Sequence, residues 1–312
     1  MIRNPGKGCV PLFTGFPKQD CYPTNQLKPP TLPVAMKSKK FHAFAALAAL
    51  AATTAAATAA TGSLHSAFGV AGKATANYGG TDSANAVALM SNGKIVVAGT
   101  SNALGSNDIA VLRYNANGTL DTTFSSDGGI IVDVGTSTND NATSVAVLPD
   151  GKILVAGFTN VGGNNDFLLL RFNADGTPDT FFGTNGRATL GNIGNDDRAS
   201  AMALMADGRI VLAGSTDAGA ADFAVVRYNS NGTLDTTFSG DGIAFSNIGT
   251  TEFGQAVALQ PDGKIVVAGF SIDGGTNDFA LVRYNVDGTQ DSSFGGGDGE
   301  LTTDLGSDDR AT

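Results

Sequence analysis

Asp150-Gly-Lys-Ile-Leu-Val-Ala-Gly157 decides the fold, because it joins a hairpin turn to a strand and the chain repeats it. Asp-Gly is the strongest short hairpin signal, and here it leads into a second strand. The run from Ile153 to Gly157 carries no charge and no helical period, which is the pattern of a strand covered on both faces. The same words recur as NGKIVVAG from Asn92 to Gly99, DGRIVLAG from Asp207 to Gly214 and DGKIVVAG from Asp262 to Gly269, spaced 58, 57 and 55 residues apart. A second signature follows each: DIAVLRYN at Asp108–Asn115, DFLLLRFN at Asp166–Asn173, DFAVVRYN at Asp222–Asn229 and DFALVRYN at Asp278–Asn285. A third is anchored on Phe124, Phe182, Phe238 and Phe294, with Phe68 in a degenerate fifth copy starting at Leu64. Self-similarity at a period of about 56 residues marks a chain of repeated supersecondary units.

One repeat reads as four short strands. The first, as in Ala86-Val-Ala-Leu89, alternates small and large apolar residues, which suits a tapering space packed on both faces. The second follows the hairpin turn, and both are interior strands. The third ends in Arg and an aromatic before an Asn-x-Asn/Asp-Gly turn, and the fourth, as in Gly186 to Ile193, is the most polar, as an outer edge should be. Four strands per unit with no helical period predict an all-β fold, a β-propeller of four-stranded blades.

Around this body the chain changes character. Of the 19 Lys and Arg residues, seven fall in positions 1–40, and Asp20 is the only acid before residue 61, so the body is strongly acidic. Such a surface repels phosphate backbones and excludes nucleic acid as a partner. Met36, Lys37, Lys39 and Lys40 precede an apolar run from Phe41 to Ala52 and then small residues, the order of a secretory signal peptide. The domain reading is therefore an upstream extension at 1–35, a signal peptide at 36–60 and a repeat domain at 61–312, with repeats at 64–119, 120–177, 178–233, 234–289 and a partial one at 290–312. The expected location is secreted, cell-surface or periplasmic, with no membrane span in the mature chain.

The runs Leu-Asp-Thr-Thr-Phe at 120–124 and 234–238, with the Asp150–Gly157 run and Asn277–Asn285, resemble the delta-60 repeat family. The resemblance covers residues 64–312 and implies a bacterial, usually exported, propeller-like protein. It brings no activity, ligand or functional residue.

Candidate chemistry is sparse. No His follows residue 65 and no Cys follows residue 21, which excludes a Ser-His-Asp triad, a Cys-His dyad and a His-ligated metal from the body. Arg113, Arg171, Arg227 and Arg283 recur with Asp108, Asp166, Asp222 and Asp278. They read as framework, five residues apart and so on opposite strand faces, each meeting a partner in another strand or blade. Asn115, Asn117 and Asp121, with Asn173, Asp175 and Asp179, resemble a calcium loop, although Asn and Asp also cap turns unaided. No cofactor is expected. Asp196, Asp197, Arg198, Glu252 and Phe253 break the repeat pattern and are the candidate ligand surface. The expectation is a non-catalytic exported scaffold presenting loops to a surface protein or polysaccharide; the alternative is a carbohydrate-active lyase or hydrolase using paired carboxylates. Counting strands gives four complete blades, an orphan outer strand at Leu64 and a bare lead-in at Asp308. This leads to the expectation of an incomplete propeller whose gene continues past Thr312.

Overall fold

The computed structural model describes residues 63–191, 193–217, 221–273, 275–306 and 309–310. The expected upstream extension and signal peptide lie outside the described residues. Each repeat folds as one antiparallel sheet with its strands in sequence order. Blade 1 holds β1 (Asp82–Leu89), β2 (Ile95–Ser101), β3 (Asp108–Tyr114) and β4 (Gly129–Val132). Blade 2 holds β5 (Asp140–Val147), β6 (Ile153–Thr159), β7 (Asp166–Phe172) and β8 (Arg187–Leu190). Blade 3 holds β9 (Arg198–Leu204), β10 (Ile210–Asp217), β11 (Ala221–Tyr228) and β12 (Ile243–Ser246). Blade 4 holds β13 (Thr251–Leu259), β14 (Ile265–Asp273), β15 (Thr276–Tyr284) and β16 (Glu300–Thr303). The fold is all-β and propeller-like, as the repeat implied.

The apolar runs become intelligible from the packing. In β6, Ile153 and Val155 join the core shared with blade 1, while Leu154 and Ala156 join the core shared with blade 3. Side chains alternate faces with period two, so a strand between two blades must be apolar at every position. Blade 3 repeats this: Ile210 and Leu212 face blade 2, Val211 and Ala213 face blade 4. Phe124, Phe182 and Phe238 are each 0% exposed and sit one in each junction. Burying a side chain of this size stabilises the fold by about 1.5–3 kcal/mol. Among the described residues no buried cluster joins blade 4 to blade 1.

Every first strand carries a bulge where it meets the second, at Asn85, Thr143, Ser200 and Gln255. A bulge re-aims one side chain. Asn85 Nδ2 donates to the Ala142 carbonyl at 2.9 Å and Thr143 Oγ1 to the Ala199 carbonyl at 2.8 Å, each in the next blade. The bulge also presses backbone on backbone. A Cβ at Gly157 would lie 1.8 Å from the Asn141 carbonyl oxygen, and Gly99, Gly214 and Gly269 are equally crowded. That close approach is why the second strand says Ala-Gly in every copy.

The copy at Leu64 forms no strand ladder, contrary to the expected orphan outer strand. No third-type strand precedes it within the described residues to pair with. It closes instead into a turn bridged between Val70 and Lys73. The Gly69 N–H donates to the Asn117 carbonyl at 2.7 Å, the bond that Ser125, Gly183 and Ser239 make to Asp175, Asn231 and Asp287 in the following blade.

Candidate functional site

Because the strands alternate direction, the connections fall at two ends. One end carries the Asn-Gly and Asp-Gly hairpins and the turns at 115–120, 173–178, 229–234 and 285–290, which barely differ between copies. The other carries the second-to-third strand loops and the links to the next blade, which differ in sequence and length.

At the constant end each repeat builds one charged relay. Arg113 Nε and Lys94 Nζ converge on Asp121 Oδ2 at 2.5 and 2.6 Å. Arg171 and Lys152 do so on Asp179 at 2.7 and 2.8 Å, Arg227 and Arg209 on Asp235 at 2.7 and 3.1 Å, and Arg283 and Lys264 on Asp291 at 2.6 and 2.7 Å. Each arginine lies over the repeat's own phenylalanine, with Arg227 Cζ 4.6 Å from the Phe238 centroid. The first three also donate through Nη1 to a carbonyl of the next blade, at Ala174, Ser230 and Val286. The recurring arginine thus finds its partner just after its own strand and ties that blade to its neighbour. Burial opposes the charge on Asp235, but hydrogen bonds from Thr237 and Arg209 and the Arg227 charge outweigh it and hold the carboxyl well below the usual range. Asp121 is held low in the same way, against burial, by Lys94, Thr123 and Arg113.

These bonds occupy the residues expected to resemble a calcium loop. Asn117 Oδ1 accepts from the Thr119 N–H and hydroxyl at 3.1 and 2.8 Å, and Asp175 Oδ1 from Thr177 at 2.9 and 2.7 Å. Asn115 and Asn173 donate to Thr119 and Thr177 across the turn. Asp121 and Asp179 each already neutralise two cations. The turns close on themselves, as their backbone chemistry allows without metal.

The five residues of the expected ligand surface divide. Asp197 and Glu252 are 0% exposed and present nothing to solvent. They occupy the position held by Asp82, Asp140 and Asp309, each eleven residues before the hairpin glycine where one follows, at Gly93, Gly151, Gly208 and Gly263. The signal was in the sequence, and these two are framework rather than pattern-breakers. Their job is to clasp the link from the previous blade: Asp140 accepts from the Val134 N–H at 2.8 Å and the Thr159 hydroxyl at 2.5 Å, Asp197 from Gly194 and Thr216, and Glu252 from Gly249 and Ser271. Phe253 is half-buried against Phe270, ring centroids 5.0 Å apart. Asp196 and Arg198 remain accessible, paired at 3.1 Å with about half of each side chain exposed.

Opposite each clasp stands the first Asp of the third strand. Asp108 is 0% exposed, and burial followed by the nearby Asp133 and Asp140 charges pushes its carboxyl up. Burial likewise raises Asp166, Asp197 and Glu252. Close carboxylates therefore occur at every junction, at the variable end. Clefts at the constant end include one of about 480 Å³ against Lys94, Arg113 and Asp175, its counterpart one blade on of about 460 Å³ against Lys152, Arg171 and Asn231, and one of about 390 Å³ against Arg187 and Thr233.

Residues 91–124, 148–182, 206–238 and 260–294 each match a family described as a beta-propeller domain of unknown function, DUF5122. No curated protein matches the chain. Among solved structures the chain is similar to a protein of unknown function from Dyadobacter fermentans, at 14% identity and a TM-score of 0.44 over 74% of this chain and 71% of that one. It is also similar to an arabinanase of Bacillus subtilis, at 13% identity and a TM-score of 0.40 over 74% and 84%. A gluconolactonase of Xanthomonas campestris matches at 11% and 0.38 over 66% and 60%. At these values the likenesses say nothing about activity. What the chain carries is four beta-propeller repeats of the DUF5122 kind, one per blade.

Proposed function

We propose that this chain is a non-catalytic, exported binding module, built from delta-60 repeats, whose variable end meets a protein or polysaccharide at the cell surface. The observation that carries the reading is the division of the two ends. Residues 115–120 and their copies spend their polar groups on closing turns and on the relays, so the constant end is framework. The loops at 102–107 and 160–165 differ between blades and expose Leu104 at 63% and Val161 at 45%. Conserved scaffolding that holds dissimilar loops is how binding surfaces are built. The close carboxylates that would serve a lyase or hydrolase recur after every blade, whereas an active site is a single departure from the repeat.

Export rests on the charged, apolar and small-residue order of 36–60; among the described residues no helix is long and apolar enough to cross a membrane. Glycan arrays and protein pull-downs with the full chain should recover a partner whose binding falls at least tenfold in Leu104→Asp/Val161→Asp. Release of new reducing or unsaturated sugar ends from a bound glycan would instead establish the carbohydrate-active alternative and overturn this reading.

A further inference from the structure

The three blade junctions and the link after blade 4 share one plan at the variable end but not one chemistry. A carboxylate stands first in the third strand's sequence signature (Asp108, Asp166, Asp222, Asp278), and another stands at the end of the link that leaves the blade (Asp140, Asp197, Glu252, Asp309). Between them falls the residue just after the fourth strand: Asp133, Gly191, Asn247 and Asp304. Two junctions have a visible answer to the crowding of like charges. At blade 2 the third residue is Gly191, with no side chain; a Cβ there would meet the Asp166 carboxylate at 2.5 Å. At blade 3 Asn247 Nδ2 donates to Asp222 Oδ1 at 2.9 Å.

Blade 1 has neither answer. Asp108, Asp133 and Asp140 each place a carboxylate oxygen within 4.8 Å of the other two. Asp108 and Asp140 are 0% exposed, and Asp108 Oδ2 is buried without a hydrogen-bond partner. No ion pair among the described residues reaches any of the three. A buried carboxylate is paired, hydrogen-bonded, protonated or bound to metal; Asp133 and Asp140 have donors, but Asp108 Oδ2 has none, and the two neighbouring carboxylates beside it complete a set of oxygens that a cation would bridge.

We propose that Asp108, Asp133 and Asp140 bind a divalent cation, calcium by preference, between blades 1 and 2. The donors are all hard oxygens, and no imidazole or thiolate stands in the cluster, which selects calcium over zinc or copper. Calcium takes 6–8 oxygens, so three carboxylates supply the protein side and water the remainder, entering beside the exposed Asp133. The bound ion ties the start of β3 and the end of β4 to the start of β5, fixing the variable link 133–139. Asp278, Asp304 and Asp309 repeat the arrangement after blade 4 and are counted separately in the test.

The test is calorimetric titration of the full chain, stripped with EDTA, with calcium chloride alone, on the wild type, Asp133→Asn and Asp304→Asn. Asp133 is exposed, and an Asn there keeps the acceptor for the Gly135 N–H, so the variant retains its fold. Saturable binding by the wild type, with one equivalent weakened at least tenfold in Asp133→Asn, is expected, and Asp304→Asn reports the other cluster. Calcium should also raise the melting temperature of the wild type more than that of Asp133→Asn, because a ligand bound only by the folded state stabilises it. Two results overturn the proposal. One is no saturable binding by the wild type up to roughly 10 mM, above the ~10⁻⁴–10⁻³ M range of extracellular calcium modules. The other is equal stoichiometry and equal affinity in the wild type and Asp133→Asn, which places the ions on other oxygens such as the Asn-Gly turns, since loss of one ligand charge must weaken a site that includes Asp133.

Discussion

Removing the carboxylate of Asp235 tests whether the relay holds the blades together. Arg227 is 1% exposed and its Nε lies 2.7 Å from Asp235 Oδ2, so Asp235→Ala strands a guanidinium away from water. Stranding one member of a buried pair costs about 3–5 kcal/mol. Three contacts survive the substitution: Nη1 to the Val286 carbonyl at 2.5 Å, Nη2 to the Thr237 hydroxyl at 3.2 Å, and the stack on Phe238. They move the expectation to the low end, about 3 kcal/mol, or roughly 6–12 °C in melting temperature for a body of this size. Asp196→Asn is the control, because it removes only the charge paired with Arg198, about half exposed on both sides, and keeps the oxygen that accepts from Asn165. Such pairs contribute about 0–1 kcal/mol. Urea unfolding followed by circular dichroism measures both variants. Arg227→Met/Asp235→Ala, which removes the stranded charge, should recover at least about 1 kcal/mol of the loss. A cost below about 1 kcal/mol for Asp235→Ala, or a double variant no more stable than the single one, would refute the relay as a unit.

Gly157→Ala places a Cβ 1.8 Å from the Asn141 carbonyl oxygen. It should cost about 1–3 kcal/mol through overpacking, and an unchanged urea midpoint would show the bulge to be less tight than described. Asp197 titrates in the opposite sense to Asp235. Burial, opposed by Thr216 and Gly194, raises its carboxyl, so its stabilising contribution is full below its unfolded value near ~3.9 and is lost as pH rises through the folded value. Asp197→Asn should therefore gain on the wild type in urea midpoint from pH 4 to pH 7, and movement the other way sinks the argument. Asp235 is held low in the folded state, so its contribution is present above ~3.9 and should be lost as the solution is acidified below that value, to a smaller extent in Asp235→Ala.

The fold was legible because its cause is local and repeated. Period-two burial on both faces turns β6 into an unbroken apolar word, and Asp150-Gly151 announces the hairpin before it. The relay was half legible: Arg171 recurred visibly, but Asp179 lies eight residues on, across a turn, and no strand period links them. The clasp was missed for a different reason. Counted forward from the third strand, the intervals from Asp108 to Asp140, Asp166 to Asp197 and Asp222 to Glu252 drift, because the links between blades differ in length. Counted back from the hairpin glycine they are constant, since the first strand and its bulge are rigid. The doublet Asp196-Asp197 and the change to Glu252 hid that constancy.

The same drift locates the information in this molecule. A link between blades can lengthen or shorten because it crosses solvent, but its last residue must still place a carboxylate where it can accept the link's own N–H, from Val134, Gly194 or Gly249. The clasp therefore fixes the end of the loop while leaving its middle free. The residue after the fourth strand decides what the two fixed acids meet: no side chain at Gly191, a donating amide at Asn247, and a third carboxylate at Asp133. A repeat protein that varies this position and the links around it sets its junctions apart without disturbing the cores between them. Those cores do not reach that position: Phe124, Phe182 and Phe238 remain 0% exposed whichever residue stands there. Junction chemistry and blade packing are therefore separable, and a substitution at Asp133 should alter the first while sparing the second.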